Sequence, residues 1–255
     1  MIEKFIDFKK NEIFYQSDNK SRLFLAKIDK YKLEDIIFFP PTYINDNLIY
    51  QKLSKGKFYR PNDFFEFEEG LLNKIAEIIK ILSSLNGETL KLQNYLNDIK
   101  LENILDKLNE KIINILILKL EKLYDKNIKV ALTHGDFKFE HLFIFEEKIE
   151  FIIDWEDVDV RSVFFDLFNF FIPWFVRRSY NYSKIKIFIF KFIENRLPDL
   201  KIYIKDNFEI YFCLFVIERY LRIKNARSLE LNKDKAYKRF NLIFNDLIYE
   251  MDNLY

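Results

Sequence analysis

The apolar residues of this chain change their spacing near Asp63, and this change limits the possible folds more than any other feature of the sequence. Before residue 53 they fall in short runs separated by turn-forming residues, which is typical of β-strands. Beyond Asp63 they recur at helical spacing, with Leu71, Ile75 and Leu82 on one helix face. The sequence therefore predicts an α+β fold, with a small strand-rich part followed by a larger, mainly helical part.

The strand-rich part is predicted to contain two hairpins. Residues 12–16 and 22–28 flank four turn-forming residues and are expected to pair. Residues 36–43 and 48–53, joined by an Asn-Asp-Asn turn, are expected to form the second hairpin. The predicted boundary lies near residues 52–62 and divides the chain into two lobes, residues 1–56 and 57–255.

The second lobe is predicted to be helical apart from one strand and one hairpin. The strand covers residues 128–133, and the hairpin pairs residues 142–145 with residues 149–153. The helical patterns cover residues 63–86, 88–126, 163–176, 183–196, 200–226 and 233–253. The apolar faces of the last helices fit either a domain core or a dimer interface.

Composition excludes several classes of protein. Lys and Arg total 41 and Asp and Glu total 40, a net charge of +1, which argues against a large nucleic-acid footprint. The single cysteine, Cys213, excludes an internal disulfide framework. The longest apolar stretch, residues 163–176, is too short for a membrane-spanning helix and is interrupted by Asp166 and Asn169. A soluble cytoplasmic protein is therefore expected.

Several charged residues lie close to the predicted strand at residues 128–133 and to the hairpin that follows it. Asp136 follows the strand at residues 128–133, and Lys138 comes two residues later. Asp154 follows the hairpin, which returns it to the side of Asp136. One carboxylate can accept a proton from an attacking hydroxyl, and the other can hold Mg²⁺ together with phosphate oxygens. A nearby cation can neutralise a transferred phosphoryl group.

The pattern resembles the catalytic segment of the aminoglycoside phosphotransferase and choline kinase families, which share the protein-kinase-like fold. The resemblance covers about residues 130–170 and rests on the His-Gly-Asp triplet, the hairpin, and the Ile-Asp-Trp-Glu and Asp-Leu segments. It implies a two-lobed fold with a reduced N-terminal lobe. The roles implied are catalysis by Asp136 and Lys138, metal binding by Asp154, and structural support by His134 and Asp166.

A looser resemblance over residues 36–56 concerns the approach to the hinge between the lobes. With the match of residues 25–28 to the family's lysine-bearing strand, it implies that Lys27, Gln51 and Leu53 bind the nucleotide. An exposed strand lysine is the alternative for Lys27. The implied activity is transfer of the ATP γ-phosphate to a hydroxyl of a small molecule or saccharide. ATP and Mg²⁺ are the expected cofactors, with Mn²⁺ as the alternative metal.

Three features depart from the family pattern. His141 stands where the family has an asparagine metal ligand. A histidine at this position resembles the kinases of lipopolysaccharide core sugars. Imidazole suits Mn²⁺ or Zn²⁺ better than Mg²⁺. No glycine-rich loop is present in the first 55 residues. The segment between Lys27 and Pro40 is too short for a full helix bearing a glutamate partner. The acidic residues Glu156, Asp157 and Asp159 are interpreted as a solvated turn, with a position near the metals as the alternative.

Two other functions stay open at this point. The reduced N-terminal lobe fits a degenerate kinase that acts as a binding or scaffold module without catalysis. A metal-dependent hydrolase would use the chain's two histidines and the two carboxylates, namely His134, Asp136, His141 and Asp154. Bound zinc would favour the hydrolase, and metal-dependent nucleotide binding would favour the kinase.

Overall fold

The computed structural model describes residues 4–7, 12–15, 19–45, 48–52, 57–58, 68–99, 107–146, 148–178, 180–225, 243 and 245–252. Its strands are β1 (Lys4–Asp7), β2 (Glu12–Tyr15), β3 (Thr42–Asn45), β4 (Leu48–Lys52), β5 (Lys57–Phe58), β6 (Glu88–Lys91), β7 (Asn127–Thr133), β8 (Leu142–Phe145), β9 (Lys148–Ile152) and β10 (Asp159–Ser162). Its α-helices are α1 (Asn19–Tyr31), α2 (Glu69–Ser84), α3 (Leu92–Asp98), α4 (Lys107–Glu121), α5 (Phe165–Arg177), α6 (Tyr182–Arg196), α7 (Lys201–Ile204) and α8 (Phe208–Asn225).

The chain has two compact units. The first comprises residues 1–82 and 132–160, and the second comprises residues 83–131 and 161–255. The first unit thus combines the N-terminal strands with the β8–β9 hairpin. This grouping is by packing, and the predicted lobes, residues 1–56 and 57–255, stay a prediction.

The N-terminal sheet has four antiparallel strands in the order β1-β2-β4-β3. The β3–β4 hairpin confirms the second predicted hairpin, although its first strand begins at Thr42 and not at residue 36. The first predicted hairpin is wrong, because β2 pairs with β1 and β4 and the segment expected to be its partner is helical. The predicted boundary near residues 52–62 lies largely outside the described residues.

Helix α1 replaces the strand predicted over residues 22–28. The local sequence, an apolar run beside turn-forming residues, fits a strand, but Phe24, Ile28 and Tyr31 are buried while Leu23 is 64% exposed. Spacings of four and three residues between buried positions match one face of a helix, whereas a strand would bury every second residue. Burial of this face therefore selects the helix. The prediction that the segment after Lys27 is too short for a full helix assumed that Lys27 lies on a strand, whereas a full helix, α1, begins before Lys27 and includes it.

The helix predicted over residues 88–126 is wrong at residues 88–91, which form strand β6. They pair antiparallel with β7, Glu88 opposite Val130 and Leu90 opposite Ile128. Helix α2 ends at Ser84, and Asn86 has a positive φ of 49° that redirects the chain. The backbone of β6 is thereby satisfied by a distant strand, a pairing that local periodicity does not reveal.

The strand at 127–133 and the hairpin of β8 and β9 confirm their predictions. Strand β7 lies in a three-stranded sheet of order β10-β7-β6, and the β8–β9 hairpin lies in a sheet of order β5-β8-β9. In the hairpin, Leu142 lies opposite Ile152, so the residues just before β8 and just after β9 are brought together. This adjacency determines the geometry of the site described below.

The second unit has an aromatic core formed by its long helices. Phe168 of α5 makes an edge contact with Phe208 and with Phe212 of α8. Phe171 contacts Phe188 and Phe192 of α6 in the same manner. Edge-to-face geometry suits aromatic rings because the positive edge of one meets the negative face of the other. Many of the 29 phenylalanines thus serve as core filler.

The order of a strand-rich part followed by a helix-rich part confirms the predicted α+β class. The predicted helices over 163–176, 183–196 and 200–226 are present as α5, α6 and the pair α7–α8. The helix predicted over residues 233–253 lies partly outside the described residues, and residues 245–252 are helical. Within the described ranges, the helices lack the combination of length and apolar character that bilayer crossing requires.

Candidate active site

Asp136 follows β7 through a tight turn in the first unit. The turn requires a positive φ of 83° at Gly135, a conformation that glycine adopts without steric cost. The Asp136 carboxylate is 13% exposed, and its Oδ2 accepts a 2.8 Å hydrogen bond from Lys138 Nζ. The structure therefore pairs the two predicted catalytic residues directly, with the carboxylate partly buried and the ammonium more exposed.

The β8–β9 hairpin brings His141 and Asp154 into contact. Ile153 N donates to His141 O at 3.0 Å, which joins the two flanks of the hairpin. His141 Nε2 lies 3.0 Å from Asp154 Oδ2 and 4.0 Å from Asp136 Oδ2. Both predicted metal residues thus lie beside the predicted base, as hairpin geometry requires.

The donor atoms of Asp136, His141 and Asp154 all lie within 4.8 Å of one another. Adjacent ligands of an octahedral ion with bonds of about 2.1 Å are separated by about 3 Å, and His141 Nε2 and Asp154 Oδ2 have this separation. Among the described residues, the buried His141 Nδ1 has no hydrogen-bond partner. Carboxylate oxygens and an imidazole nitrogen form a donor set suited to a divalent cation, so the residues fit a metal.

His134 is fully buried and contacts the backbone on both sides of the site. Its Nδ1 accepts from the Asp136 N–H at 3.2 Å, so Nε2 carries the proton and donates to Ile153 O at 2.9 Å. Burial, together with the nearby His141, lowers the pKa of His134 to about 3, although the Asp136 carboxylate opposes the shift. A neutral His134 therefore links the loop of Asp136 to the residue that precedes Asp154.

Three further site residues were predicted, namely Gln51, Leu53 and Asp166. Gln51 is buried in β4, and its Nε2 donates to Thr42 Oγ1 at 3.3 Å. Leu53 lies outside the described residues. Asp166 is buried in the first turn of α5, in the second unit. The nucleotide roles of Gln51 and Leu53 and the support role of Asp166 stay predictions.

Lys27 lies on α1, so its assignment to a lysine-bearing strand is wrong. Its Nζ donates to the backbone oxygen of Glu156 at 3.0 Å, two residues beyond Asp154. The strand that precedes α1 is β2, and its sequence, EIFY, contains no lysine. A role of Lys27 in phosphate binding stays a prediction, now from a helix.

The sequence does not predict the contact between Tyr31 and Asp159. Tyr31 OH donates to Asp159 Oδ1 at 2.6 Å, which places Asp159 in a specific contact and not in a solvated turn. The signal was the spacing of Lys27 and Tyr31, four residues apart, which becomes informative only when the segment is recognised as a helix.

Comparison of the sequence with family models gives one match. The model described as the phosphotransferase enzyme family matches residues 59–184, which include Asp136, His141 and Asp154. This part of the chain is therefore similar to the phosphotransferase enzyme family. No curated protein has a significantly similar sequence.

Solved structures agree with the family match. An apo thermostable mutant of aminoglycoside phosphotransferase APH(4)-Ia has a TM-score of 0.64 at 12% identity, covering 97% of this chain and 89% of that chain. The choline kinase LicA from Streptococcus pneumoniae has a TM-score of 0.52 at 16% identity, covering 89% and 85%. Amicoumacin kinase hAmiN, in complex with AMP-PNP, Ca²⁺ and Ami, has a TM-score of 0.58 at 12% identity, covering 97% and 84%.

At these identities the likeness is one of fold, and the predicted protein-kinase-like fold is confirmed. The resemblance to aminoglycoside phosphotransferases and choline kinases is confirmed with it. The family match supports phosphotransferase activity.

Proposed function

We propose that this protein is a kinase-type phosphotransferase that moves the γ-phosphate of ATP to a hydroxyl of a small molecule or saccharide. The observation that carries the proposal is the convergence of Asp136, His141 and Asp154 within 4.8 Å, with Lys138 bonded to Asp136. Phosphoryl transfer asks a protein mainly for positioning and for neutralisation of charge. A carboxylate base, a cation and two metal ligands in one cluster provide these functions.

In this proposal Asp136 is the general base. The acceptor oxygen forms a bond to the γ-phosphorus while the bond from that phosphorus to the β–γ bridging oxygen breaks, which releases ADP. The hydroxyl proton passes to an Asp136 carboxylate oxygen. Lys138, already 2.8 Å from Asp136 Oδ2, orients that carboxylate and neutralises charge on the transferred group.

Asp154 and His141 are proposed to hold the divalent metal. A metal bound there would neutralise negative charge on the phosphate oxygens of the nucleotide. His141 contributes a nitrogen where the family pattern has an amide oxygen. Imidazole binds Mn²⁺ more readily than Mg²⁺, so this ligand pair favours Mn²⁺ over Mg²⁺.

Thermal unfolding tests the metal and nucleotide parts of the proposal. Wild-type protein and the Asp154→Ala variant are unfolded with and without ATP, in Mg²⁺ and separately in Mn²⁺. ATP at a hundred times its Kd adds about 2.7 kcal/mol to stability, which raises Tm by roughly 5–10 °C for a chain of this size. Asp98→Ala, which removes an exposed carboxylate at the end of α3, is the matched control.

We expect ATP to raise Tm in a metal-dependent manner for the wild type and for Asp98→Ala, and not to raise the Tm of Asp154→Ala. Absence of any rise at millimolar ATP with either metal would contradict the proposal and favour a binding module without catalysis. Co-purified zinc without nucleotide binding would favour a hydrolase.

The base is tested by transfer itself. ADP formation is followed with ATP and a panel of amino alcohols, sugars and glycolipid precursors. Asp136→Asn keeps the size of the side chain but removes its basicity, so we expect nucleotide binding to persist and transfer to be lost. Full transfer by Asp136→Asn would refute its role as the base.

A further inference from the structure

Helix α1 makes two side-chain hydrogen bonds to the segment that follows Asp154. Lys27 Nζ donates to Glu156 O at 3.0 Å, and Tyr31 OH donates to Asp159 Oδ1 at 2.6 Å. Residues four apart lie on the same face of a helix, so one face of α1 makes both contacts. The partners are 129 and 128 residues away in the sequence, and both contacts lie within the first unit.

Asp159 connects the hydrogen bonds from α1 to β7, the strand that leads to the loop of Asp136. Its Oδ1 also accepts from Val160 N at 3.0 Å, and its backbone oxygen accepts from Thr133 Oγ1 at 2.8 Å. Tyr31 OH in turn accepts from Lys30 Nζ at 2.8 Å, so a chain of hydrogen bonds runs from α1 through Asp159. The contact is therefore part of a connected network.

The backbone of Asp154 has an uncommon conformation. Its φ of 74° and ψ of 45° lie in the left-handed region, which few residues other than glycine occupy, although aspartate tolerates it better than most. On its N-terminal side, Ile153 is held by bonds to His134 and His141. On its C-terminal side stands a single 3₁₀ turn, Trp155–Asp157. The contacts from α1 lie on this turn and just beyond it.

We propose that Lys27 and Tyr31 are positioning residues: they hold residues 155–159 and thereby keep the Asp154 carboxylate beside His141. The inference rests on the proposed metal-binding role of Asp154. It gives Lys27 a structural task at the site that differs from the phosphate contact implied by the family resemblance.

The experiment uses Lys27→Met and Tyr31→Phe in the full chain, with two readouts. Hydrogen–deuterium exchange of residues 155–160 in metal-free protein reports whether α1 holds the segment. The affinity for Mn²⁺ alone, from electron paramagnetic resonance of free Mn²⁺, reports whether the Asp154 carboxylate is in place. Lys27→Arg keeps a donor for the carbonyl, and Lys148→Met removes an exposed lysine from β9 of the same unit as a matched control.

We expect faster exchange at residues 155–160 and a Kd for Mn²⁺ raised about two- to tenfold in each variant, the effect of losing one hydrogen bond. Lys27→Arg is expected to restore most of the affinity, and Lys148→Met to change neither readout. Unchanged hydrogen–deuterium exchange at residues 155–160 would show that α1 does not hold this segment and would overturn the proposal. Faster exchange with unchanged Mn²⁺ affinity would overturn the positioning role, leaving a purely structural contact.

The two proposals fail differently. If wild-type protein binds no Mn²⁺, the metal site of the proposed function fails, and the positioning role fails with it. If wild-type protein binds Mn²⁺ and Asp154→Ala does not, the metal site stands, and only the comparison of Lys27→Met and Tyr31→Phe with wild type decides the inference.

Discussion

His134 is expected to make this protein lose stability below neutral pH. Its ring is fully buried, and both nitrogens are committed, one accepting from Asp136 N and the other donating to Ile153 O. Protonation would place an extra proton on the accepting nitrogen and a charge in a buried site. The change that tests this is His134→Gln, which removes the titrating group and keeps an amide donor and acceptor.

The direction of the stability change follows from the pKa of His134 in the unfolded chain and in the folded protein. The unfolded chain takes up a proton on His134 near its ordinary pKa of 6.5, whereas the folded protein does so only near about 3. Between these values the unfolded state binds more protons, so the free energy of unfolding falls as the pH falls. The slope approaches about 1.4 kcal/mol per pH unit. From pH 7 to pH 5 the loss is about 2 kcal/mol, or about 4–8 °C in Tm.

Urea unfolding followed by circular dichroism, on metal-free protein at both pH values, measures the effect. Wild type is expected to lose about 2 kcal/mol more than His134→Gln between pH 7 and pH 5. An NMR titration of the His134 imidazole gives an independent check and should show a neutral ring down to about pH 4. Equal losses in both proteins, or a His134 that titrates near its ordinary pKa, would refute the reasoning.

Three further outcomes are expected. His141→Asn should shift the metal that best supports nucleotide binding from Mn²⁺ toward Mg²⁺, and an unchanged preference would place His141 outside the metal site. Tyr95→Phe should lower the free energy of unfolding by about 1–3 kcal/mol, since its buried hydroxyl donates to Glu218 at 2.7 Å; Tyr249→Phe, an exposed control, should not. Burial raises the pKa of the Cys213 thiol, so a thiol reagent should label the protein only on unfolding, and rapid labelling of folded protein would contradict its burial.

The catalytic segment could be predicted because its order is local. A strand that ends at Thr133, a turn that needs Gly135 and a hairpin over 142–152 are each determined by nearby residues. Hairpin pairing then brings the two flanks together without any long-range information. For this reason the return of Asp154 to the side of Asp136 followed from spacing, whereas the place of His141 beside Asp154 was implied by the family resemblance.

Helix α1 could not be predicted in the same way. Residues 22–28 fit a strand or a helix by local pattern, and the choice depends on what covers Phe24, Ile28 and Tyr31. The same holds for β6, whose hydrogen-bond partner begins 36 residues beyond its own end at Lys91 and so lies far along the chain. Where two local conformations are close in free energy, burial and distant pairing decide between them.

The sequence by itself determined the fold class, the positions of the helices after residue 163 and the proximity of Asp154 to Asp136, because periodicity and hairpin spacing act over a few residues. Only the tertiary structure decided that Lys27 lies on a helix and contacts the segment beyond Asp154. It also decided that His134 is neutral, because desolvation depends on everything that packs around the ring and not on its neighbours in the chain.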